Sequence, residues 1–287
     1  GIARGEDDFM SKVTDKYADS NGVKIHYVTA GQGPLIVFIH GFPDFWYSWH
    51  NQMEGLMDEY TVCALDTRGY NLSDKPEGVE NYDMTLLIGD VAAVIKAEGA
   101  EKATIVGHDW GGAIAWSFAA FRPDLTDKLI IVNLPHMENM ARELANNPAQ
   151  NANSQYARNF QKPDSHKSLN ATMLATMVSR GDPDLKAKYQ TAFENSSFDS
   201  MMNYYRRNFP SGEESGERPA MPKIKMPVLQ FHGLDDQALL PGGLNGTWEH
   251  LEQDWTLVTF PGVGHWAHHE NPDAVTDMMR AWLKLHK

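Results

Sequence analysis

The sequence has 287 residues, of which 42% are hydrophobic and 22% charged, and its formal net charge is −13 at pH 7. This length fits one large α/β domain with an insertion. The negative charge argues against nucleic acid and anionic membranes as partners, since both attract basic patches. No run of 18 apolar residues predicts a membrane span.

Cysteine content bears on the cellular compartment. Cys63 is the only cysteine, so no intrachain disulfide can form, which favours a reducing, cytoplasmic location. A secreted or periplasmic protein whose signal segment has been removed is the alternative, because the sequence starts at Gly1 rather than Met.

Hydrophobic patterning predicts strands that alternate with helices along most of the chain. After a polar arm at residues 2–12, short apolar runs predict strands at 16–19, 23–29, 35–40, 60–65, 104–106, 128–134, 228–231 and 255–260. Amphipathic or aromatic-rich stretches predict helices at 46–59, 84–98, 113–119, 244–251 and 272–284. This alternation predicts a mostly parallel sheet flanked by helices on both faces.

Residues 137–222 interrupt the alternation. They contain no long apolar strand run, and they predict helices at 169–178, 185–193 and 197–208, followed by a loop at 211–219. So few apolar strands suit a cap that needs another domain's surface better than an independent domain. We therefore predict an α/β main domain formed by residues 1–136 and 223–287, with a helical lid at 137–222.

The segment Gly-His-Asp-Trp-Gly at positions 107–111 lies between a predicted strand and a predicted helix. A sharp glycine-flanked turn in this setting is a nucleophile elbow, normally G-x-S-x-G, and here Asp109 holds the nucleophile's position. An aspartate is ionised at neutral pH and needs no base to attack. Attack at an sp3 carbon gives an ordinary ester that water can hydrolyse, whereas attack at an acyl carbon gives a labile anhydride. The segment predicts two-step alkyl transfer; the alternative is that Asp109 only caps the helix.

Two more loops follow predicted strands, at 233–236 and 262–266. The chain order nucleophile, acid, histidine predicts His265 as the base that takes a proton from water. Asp236 is the predicted carboxylate that orients His265, with Asp235 as its rival. His232 is the competing base.

Other histidines are predicted to do no chemistry. His268 and His269 lie beyond the strand end and are expected to face solvent, and His40 is expected to hydrogen-bond its own loop. When water attacks the ester, its oxygen needs two backbone N–H donors, and the predicted donors are those of Trp110 and Phe42.

Four segments together resemble the α/β-hydrolase-fold epoxide hydrolases. They are His-Gly-Phe-Pro-Asp-Phe-Trp-Tyr-Ser-Trp at 40–49, Asp-Thr-Arg-Gly-Tyr at 66–70, Gly-His-Asp-Trp-Gly-Gly at 107–112 and Gly-His-Trp at 264–266. The resemblance implies the α/β-hydrolase fold and conversion of an epoxide and water to a vicinal diol through an ester on Asp109. It also implies that no cofactor and no metal take part.

The resemblance further implies two lid tyrosines that hold the epoxide oxygen. Asn-Tyr-Tyr-Arg-Arg-Asn at 203–208 matches the family's aromatic-Tyr-Arg pattern at Tyr205, with Tyr204 as its aromatic neighbour. Tyr-Ala-Arg-Asn-Phe-Gln at 156–161 resembles the second motif at Tyr156, but departs from it in the polar residues after the tyrosine. Packing of the lid on the core is the alternative role for both.

Large apolar side chains are predicted to form the substrate pocket. Trp46 and Trp266 are expected to line or pack it, and Met173 and Met177 suggest an adaptable apolar lid. This composition favours a small-to-medium apolar epoxide, with water as the second substrate. A homodimer is one possible assembly, because the sequence does not determine the oligomeric state.

Three other functions compete with this hypothesis. A haloalkane dehalogenase resembles the chain at the elbow, but it needs two N–H donors for a halide, and Phe42 has no side-chain donor. A fluoroacetate-type dehalogenase would need cationic groups, and Trp110 rather than Arg follows the elbow aspartate. A non-catalytic protein of this fold would be expected to lose part of the set of Asp109, Asp236 and His265.

Overall fold

A single eight-stranded sheet forms the centre of the computed structural model, which describes residues 8–210 and 220–287. The strand order is β1-β2-β4-β3-β5-β6-β7-β8. Strand β2 pairs antiparallel with both β1 and β4, and all pairs from β4 to β8 are parallel. The strands are β1 Thr14–Ser20, β2 Val23–Ala30, β3 Leu35–Ile39, β4 Thr61–Leu65, β5 Ala103–His108, β6 Thr126–Val132, β7 Val228–Gly233 and β8 Trp255–Phe260. The predicted mostly parallel sheet is confirmed.

Helices cover the sheet on both faces. Every residue of the central strands β3, β5 and β7 is therefore buried. The described helices are α1 His50–Leu56, α2 Met84–Ala97, α3 Trp110–Phe121, α4 Met137–Asn146, α5 Pro148–Asn153, α6 Gln155–Phe160, α7 Ala171–Ser179, α8 Pro183–Glu194, α9 Phe198–Asn208, α10 Ala267–Glu270 and α11 Pro272–Leu285. In the ranges 8–210 and 220–287, no helix is long and apolar enough to cross a bilayer.

The predicted insertion lies between β6 and β7, where the described residues form helices α4 to α9 and no strand. Helices α7, α8 and α9 correspond to the three predicted there, whereas α4, α5 and α6 were not predicted. Their polar sequences obscure the pattern, since three of the six residues of α5 are Asn or Gln. The loop predicted at 211–219 falls outside the described residues.

Three local predictions are corrected. The helix predicted at 46–59 begins with a 3-10 turn, Trp46–Trp49, before α1. The helix predicted at 244–251 is instead two 3-10 turns, Pro241–Leu244 and Thr247–His250, because Gly246 between them has φ 77°. The arm predicted at 2–12 is not loose throughout, since Phe9 is buried in the core; residues 1–7 fall outside the described part.

The strand order brings two loops together at one edge of the sheet. From β3 the chain proceeds to β4 on one side, while β5 lies on the other side of β3. The order in which successive strands are added to the sheet therefore reverses between β3 and β5. Ligands in open α/β sheets bind beyond the carboxyl ends of the strands at such a point. Phe42 follows β3 and Asp109 follows β5, which places both at this crevice.

Replacing Gly107 by Ala is expected to destabilise the protein, because a Cβ at this position of β5 would overlap the carbonyl oxygen of Gly111. Overpacking of this kind costs about 1–3 kcal/mol. Gly89 in α2 is the matched control: a Cβ there meets nothing nearer than Ser20 Oγ at 3.9 Å, and Ala favours a helix by about 1 kcal/mol. Urea unfolding measures both changes. A Gly107→Ala variant as stable as the Gly89→Ala variant would contradict the tight packing of the elbow.

Candidate active site

Asp109 stands at the turn from β5 into α3 with φ 56° and ψ −125°. A non-glycine residue rarely adopts this backbone conformation, and such strain is typical of active sites. Its side chain makes no capping hydrogen bond to α3. Instead Oδ2 accepts a hydrogen bond from the backbone N–H of Phe42 at 2.9 Å, and Oδ1 lies 3.0 Å from Nε2 of His265. Helix capping is therefore not the role of the Asp109 carboxylate.

His265 connects two carboxylates. Its Nδ1 lies 2.6 Å from Oδ2 of Asp236, and its Nε2 faces Asp109. Asp235 is exposed, whereas Asp236 is buried. His232 donates from Nε2 to the carbonyl of Leu239 at 2.9 Å, an interaction within its own loop. The geometry thus brings together Asp109, His265 and Asp236, and leaves the two rivals outside.

The charges of these three side chains depend on one another. Burial would lower the pKa of His265, but Asp236 and Asp109 outweigh it and raise the pKa well above its usual value. Burial would raise the pKa of each carboxyl group, yet the imidazole and other N–H donors lower the pKa of Asp236 to about 2 and also lower that of Asp109. An imidazolium therefore lies between two ionised carboxylates at neutral pH.

Two supporting residues were not identified from the sequence. Asn133, at φ 45° just after β6, donates from Nδ2 to Oδ2 of Asp236 at 2.9 Å. His108, the last residue of β5, donates from Nε2 to the carbonyl of His265 at 2.8 Å; burial lowers its pKa to about 3, so the ring is neutral. Their position along the chain could have identified them, since both polar side chains stand at the carboxyl ends of parallel strands.

A cavity opens in front of Asp109. Tyr156 and Tyr205 both line it, with ring centroids 6.2 Å apart. Tyr204 points elsewhere and donates its hydroxyl to the carbonyl of Arg68 at 2.6 Å. Among the described lining residues, Asp109 alone carries a charge. The others are Trp110, Ala113, Leu134, Met137, Met140, Ala141, Tyr156, Tyr205, Asn208, Phe209, Pro210 and Leu239.

Comparisons with known proteins agree with this fold and geometry. A family model described as alpha/beta hydrolase fold matches residues 34–272. The "AB hydrolase superfamily protein YfhM" of Bacillus subtilis is 35% identical over 96% of this chain and 99% of its own length. "Epoxide hydrolase 1" of Caenorhabditis elegans is 33% identical over 95% of this chain and 70% of its own. The chain belongs to the epoxide hydrolases of the α/β-hydrolase fold. A crystal structure of an epoxide hydrolase from Bacillus megaterium with an inhibitor is also similar, with 34% identity and a TM-score of 0.87 over 94% of this chain and 100% of that one.

In this member of the epoxide hydrolase family, the structure places the predicted pocket methionines Met173 and Met177 away from the cavity beside Asp109. Met173 and Met177 are 45% and 50% exposed. They are one turn apart on the solvent side of α7, whose buried side carries Leu174, Ala175 and Val178. The methionines that line the cavity, Met137 and Met140, come from α4.

The two predicted pocket tryptophans pack near the site without lining this cavity. Trp46 is buried, and its backbone N–H donates to Oδ1 of Asp66 at 3.0 Å. Trp266 donates from Nε1 to Oδ2 of Asp44 at 3.2 Å, and its ring lies 4.8 Å from that of His265. The ring of Trp266 therefore packs against His265 and is not among the residues that line the cavity beside Asp109.

The prediction that His268 and His269 face solvent is also wrong. His268 is fully buried and His269 partly so, and the Nε2 atoms of both lie within 2.9 Å of Ser48 Oγ. Ser48 in turn donates to Asp44. The short helix α10 turns both rings inward onto a segment more than 200 residues earlier, so local sequence could not reveal their burial. His40 behaves as expected: Nδ1 donates to the carbonyl of Gly41 at 2.8 Å.

Proposed function

We propose that this protein hydrolyses an apolar epoxide to a vicinal diol through a covalent ester on Asp109. One observation carries the proposal. An ionised aspartate on a strained elbow, held by Phe42 and His265, faces a cavity that Tyr156 and Tyr205 also line. The relatives named epoxide hydrolase support it. The reaction as proposed needs no cofactor.

The first step opens the ring. The Asp109 carboxylate attacks one epoxide carbon, the C–O bond breaks, and the departing oxygen takes a proton from a tyrosine. A tyrosine hydroxyl has a pKa near 10, and burial raises the pKa of Tyr205 further, so both hydroxyls are protonated donors at neutral pH. The two tyrosine donors and the Asp109 nucleophile would together hold the substrate for in-line attack.

The second step hydrolyses the ester. Esterification removes the negative charge of Asp109, one of the two charges that raise the pKa of His265. The pKa of His265 then falls, and the imidazolium releases its proton to solvent, from which the tyrosinate left by ring opening regains one. The neutral ring takes a proton from the water that adds to the ester carbonyl and gives it to the diol oxygen as the ester C–O bond breaks. The carboxylic acid left on Asp109 then returns its proton to His265, so that both groups regain their charges. Asp236 keeps the ring oriented. The oxyanion formed on the ester carbonyl is proposed to lie against the backbone N–H groups of Phe42 and Trp110.

Helices α4 to α9 are proposed to act as the lid over this site. Both tyrosines and both cavity methionines belong to them, whereas the carboxylates and His265 belong to the sheet's loops. Opening the ring is thus shared between lid and main domain, and ester hydrolysis is confined to the main domain. The haloalkane alternative finds less support, because the ring of Phe42 packs on Tyr205 at 5.7 Å and offers a halide no donor.

A single turnover in heavy-oxygen water is expected to give a diol without label. The oxygen added to the substrate comes from Asp109, and the solvent oxygen enters the carboxylate when water cleaves the ester. Mass spectrometry of the diol and of the peptide that contains Asp109 measures both. Later turnovers should yield labelled diol and serve as the control. Full labelling of the first diol would mean that water attacks the epoxide directly.

A further inference from the structure

Gln161 makes a polar link between the two helices that carry the tyrosines. It follows α6, the helix of Tyr156, and its Nε2 donates to the carbonyl of Tyr205 at 3.0 Å and to that of Phe209 at 2.9 Å. Both acceptors belong to the last turn of α9 and its cap. The carbonyl of Tyr205 also accepts the backbone N–H of Phe209 at 3.0 Å, so the Gln161 amide adds a second hydrogen bond there. The carbonyl of Phe209 belongs to the cap, beyond the last residue of α9.

The position of this link suits it to set the distance between Tyr156 and Tyr205. Tyr156 and Tyr205 lie almost 50 residues apart in sequence on different helices, and Gln161 binds the carbonyl of Tyr205 itself. Phe160 also joins the helices, with its ring 5.8 Å from Tyr156 and 5.1 Å from Tyr205. Contacts between aromatic rings tolerate centroid separations of about 4.5–7 Å, whereas the two hydrogen bonds of the Gln161 amide hold its Nε2 within 3.0 Å of both carbonyls.

A second link keeps the same segments together on the outer side. Arg206 of α9 donates from Nη2 to the carbonyls of Lys162 and Pro163, just after Gln161. Loss of the Gln161 amide should therefore shift α6 against α9 without releasing it. The change would reach the tyrosine pair but not His265 and Asp236, which belong to loops of the main domain.

We propose that Gln161 is a positioning residue that sets the spacing of Tyr156 and Tyr205 for epoxide opening, an inference that rests on the proposed function. A misplacement of about 1 Å can cost about 10²-fold in rate. Gln161→Leu removes both donors at similar size and should slow alkylation by about 10-fold to 10²-fold. Ester hydrolysis should stay within about twofold of wild type, because its groups keep their geometry.

Stopped-flow tryptophan fluorescence with styrene oxide measures alkylation, since the ring of Trp110 lies 5.2 Å from that of Tyr205. Gln155→Leu is the matched control: Gln155 starts the same helix, is exposed, and bonds within its own segment, from Nε2 to Asn159. Combining Gln161→Leu with Tyr205→Phe completes a double-mutant cycle. The Gln161 effect should shrink to about twofold when the hydroxyl that it positions is absent.

Two results would overturn the proposal: equal slowing of alkylation and ester hydrolysis, or an undiminished Gln161 effect in the Tyr205→Phe background. If Gln161→Leu fails to fold, Gln161→Glu takes its place, because an ionised carboxylate of the same size has no N–H to donate. Wild-type alkylation by Gln161→Glu would then also contradict the proposal. If wild type and Gln155→Leu both fail to form an ester, the proposed function itself is wrong.

Discussion

His265→Gln is expected to stop the reaction at the covalent ester. Asp109 needs no base to attack, and the amide of Gln can still donate to Oδ1, which His265 faces at 3.0 Å. Hydrolysis of the ester does need a base, so its rate should fall by about 10²–10⁴-fold. Intact-protein mass spectrometry at pH 7–8 should show an increase equal to the mass of the epoxide. Loss of both steps with no adduct would remove His265 from the hydrolytic role.

The two neighbouring aspartates provide a matched control for this result. Asp236 lies 2.6 Å from Nδ1 of His265, so Asp236→Asn should let the ester accumulate, as the wrong imidazole tautomer can cost up to about 10⁴-fold. Asp235 is exposed, and Asp235→Asn should hydrolyse the ester at nearly the wild-type rate. The reverse ranking would transfer the orienting role to Asp235.

The sequence could predict the positions of Asp109, Asp236 and His265 because each follows an apolar strand. Parallel strands carry the residues after them to the same edge of a sheet, so strand patterning alone predicts that these loops meet. The glycines around Asp109 additionally predicted the sharp turn at that residue. The same logic could have found Asn133 and His108, which stand at strand ends but belong to no motif used in the prediction.

Helix faces in the lid could not be predicted in the same way. Met173 and Met177 on α7 and Met137 and Met140 on α4 are equally apolar, and only the packing of α7 decides that its methionines face solvent. A mainly helical insertion has no strand edge to orient it, so sequence patterning does not show which helix borders the cavity. The burial of His268 likewise depends on Ser48, 220 residues away along the chain.

Replacing Tyr156 or Tyr205 by Phe is expected to slow alkylation and leave ester hydrolysis nearly unchanged. Opening an epoxide leaves an alkoxide on the substrate, and a proton donor at that oxygen contributes about 10²–10⁴-fold. Asp109 and His265 are engaged elsewhere, and Tyr156 and Tyr205 are the tyrosines among the described residues that line the cavity. Each single change keeps one donor, so the double change should nearly abolish opening. Pre-steady-state tryptophan fluorescence measures the alkylation rates.

Tyr204→Phe separates proton donation from packing of the lid. It is the same substitution one residue from Tyr205, but it removes a hydrogen bond to the carbonyl of Arg68. It should cost about 1 kcal/mol of stability and leave alkylation unchanged. Unchanged alkylation in both Tyr156→Phe and Tyr205→Phe would exclude the pair from the mechanism. A halide departs without a proton, so rapid bromide release from 1-bromobutane by the double variant would instead indicate a dehalogenase.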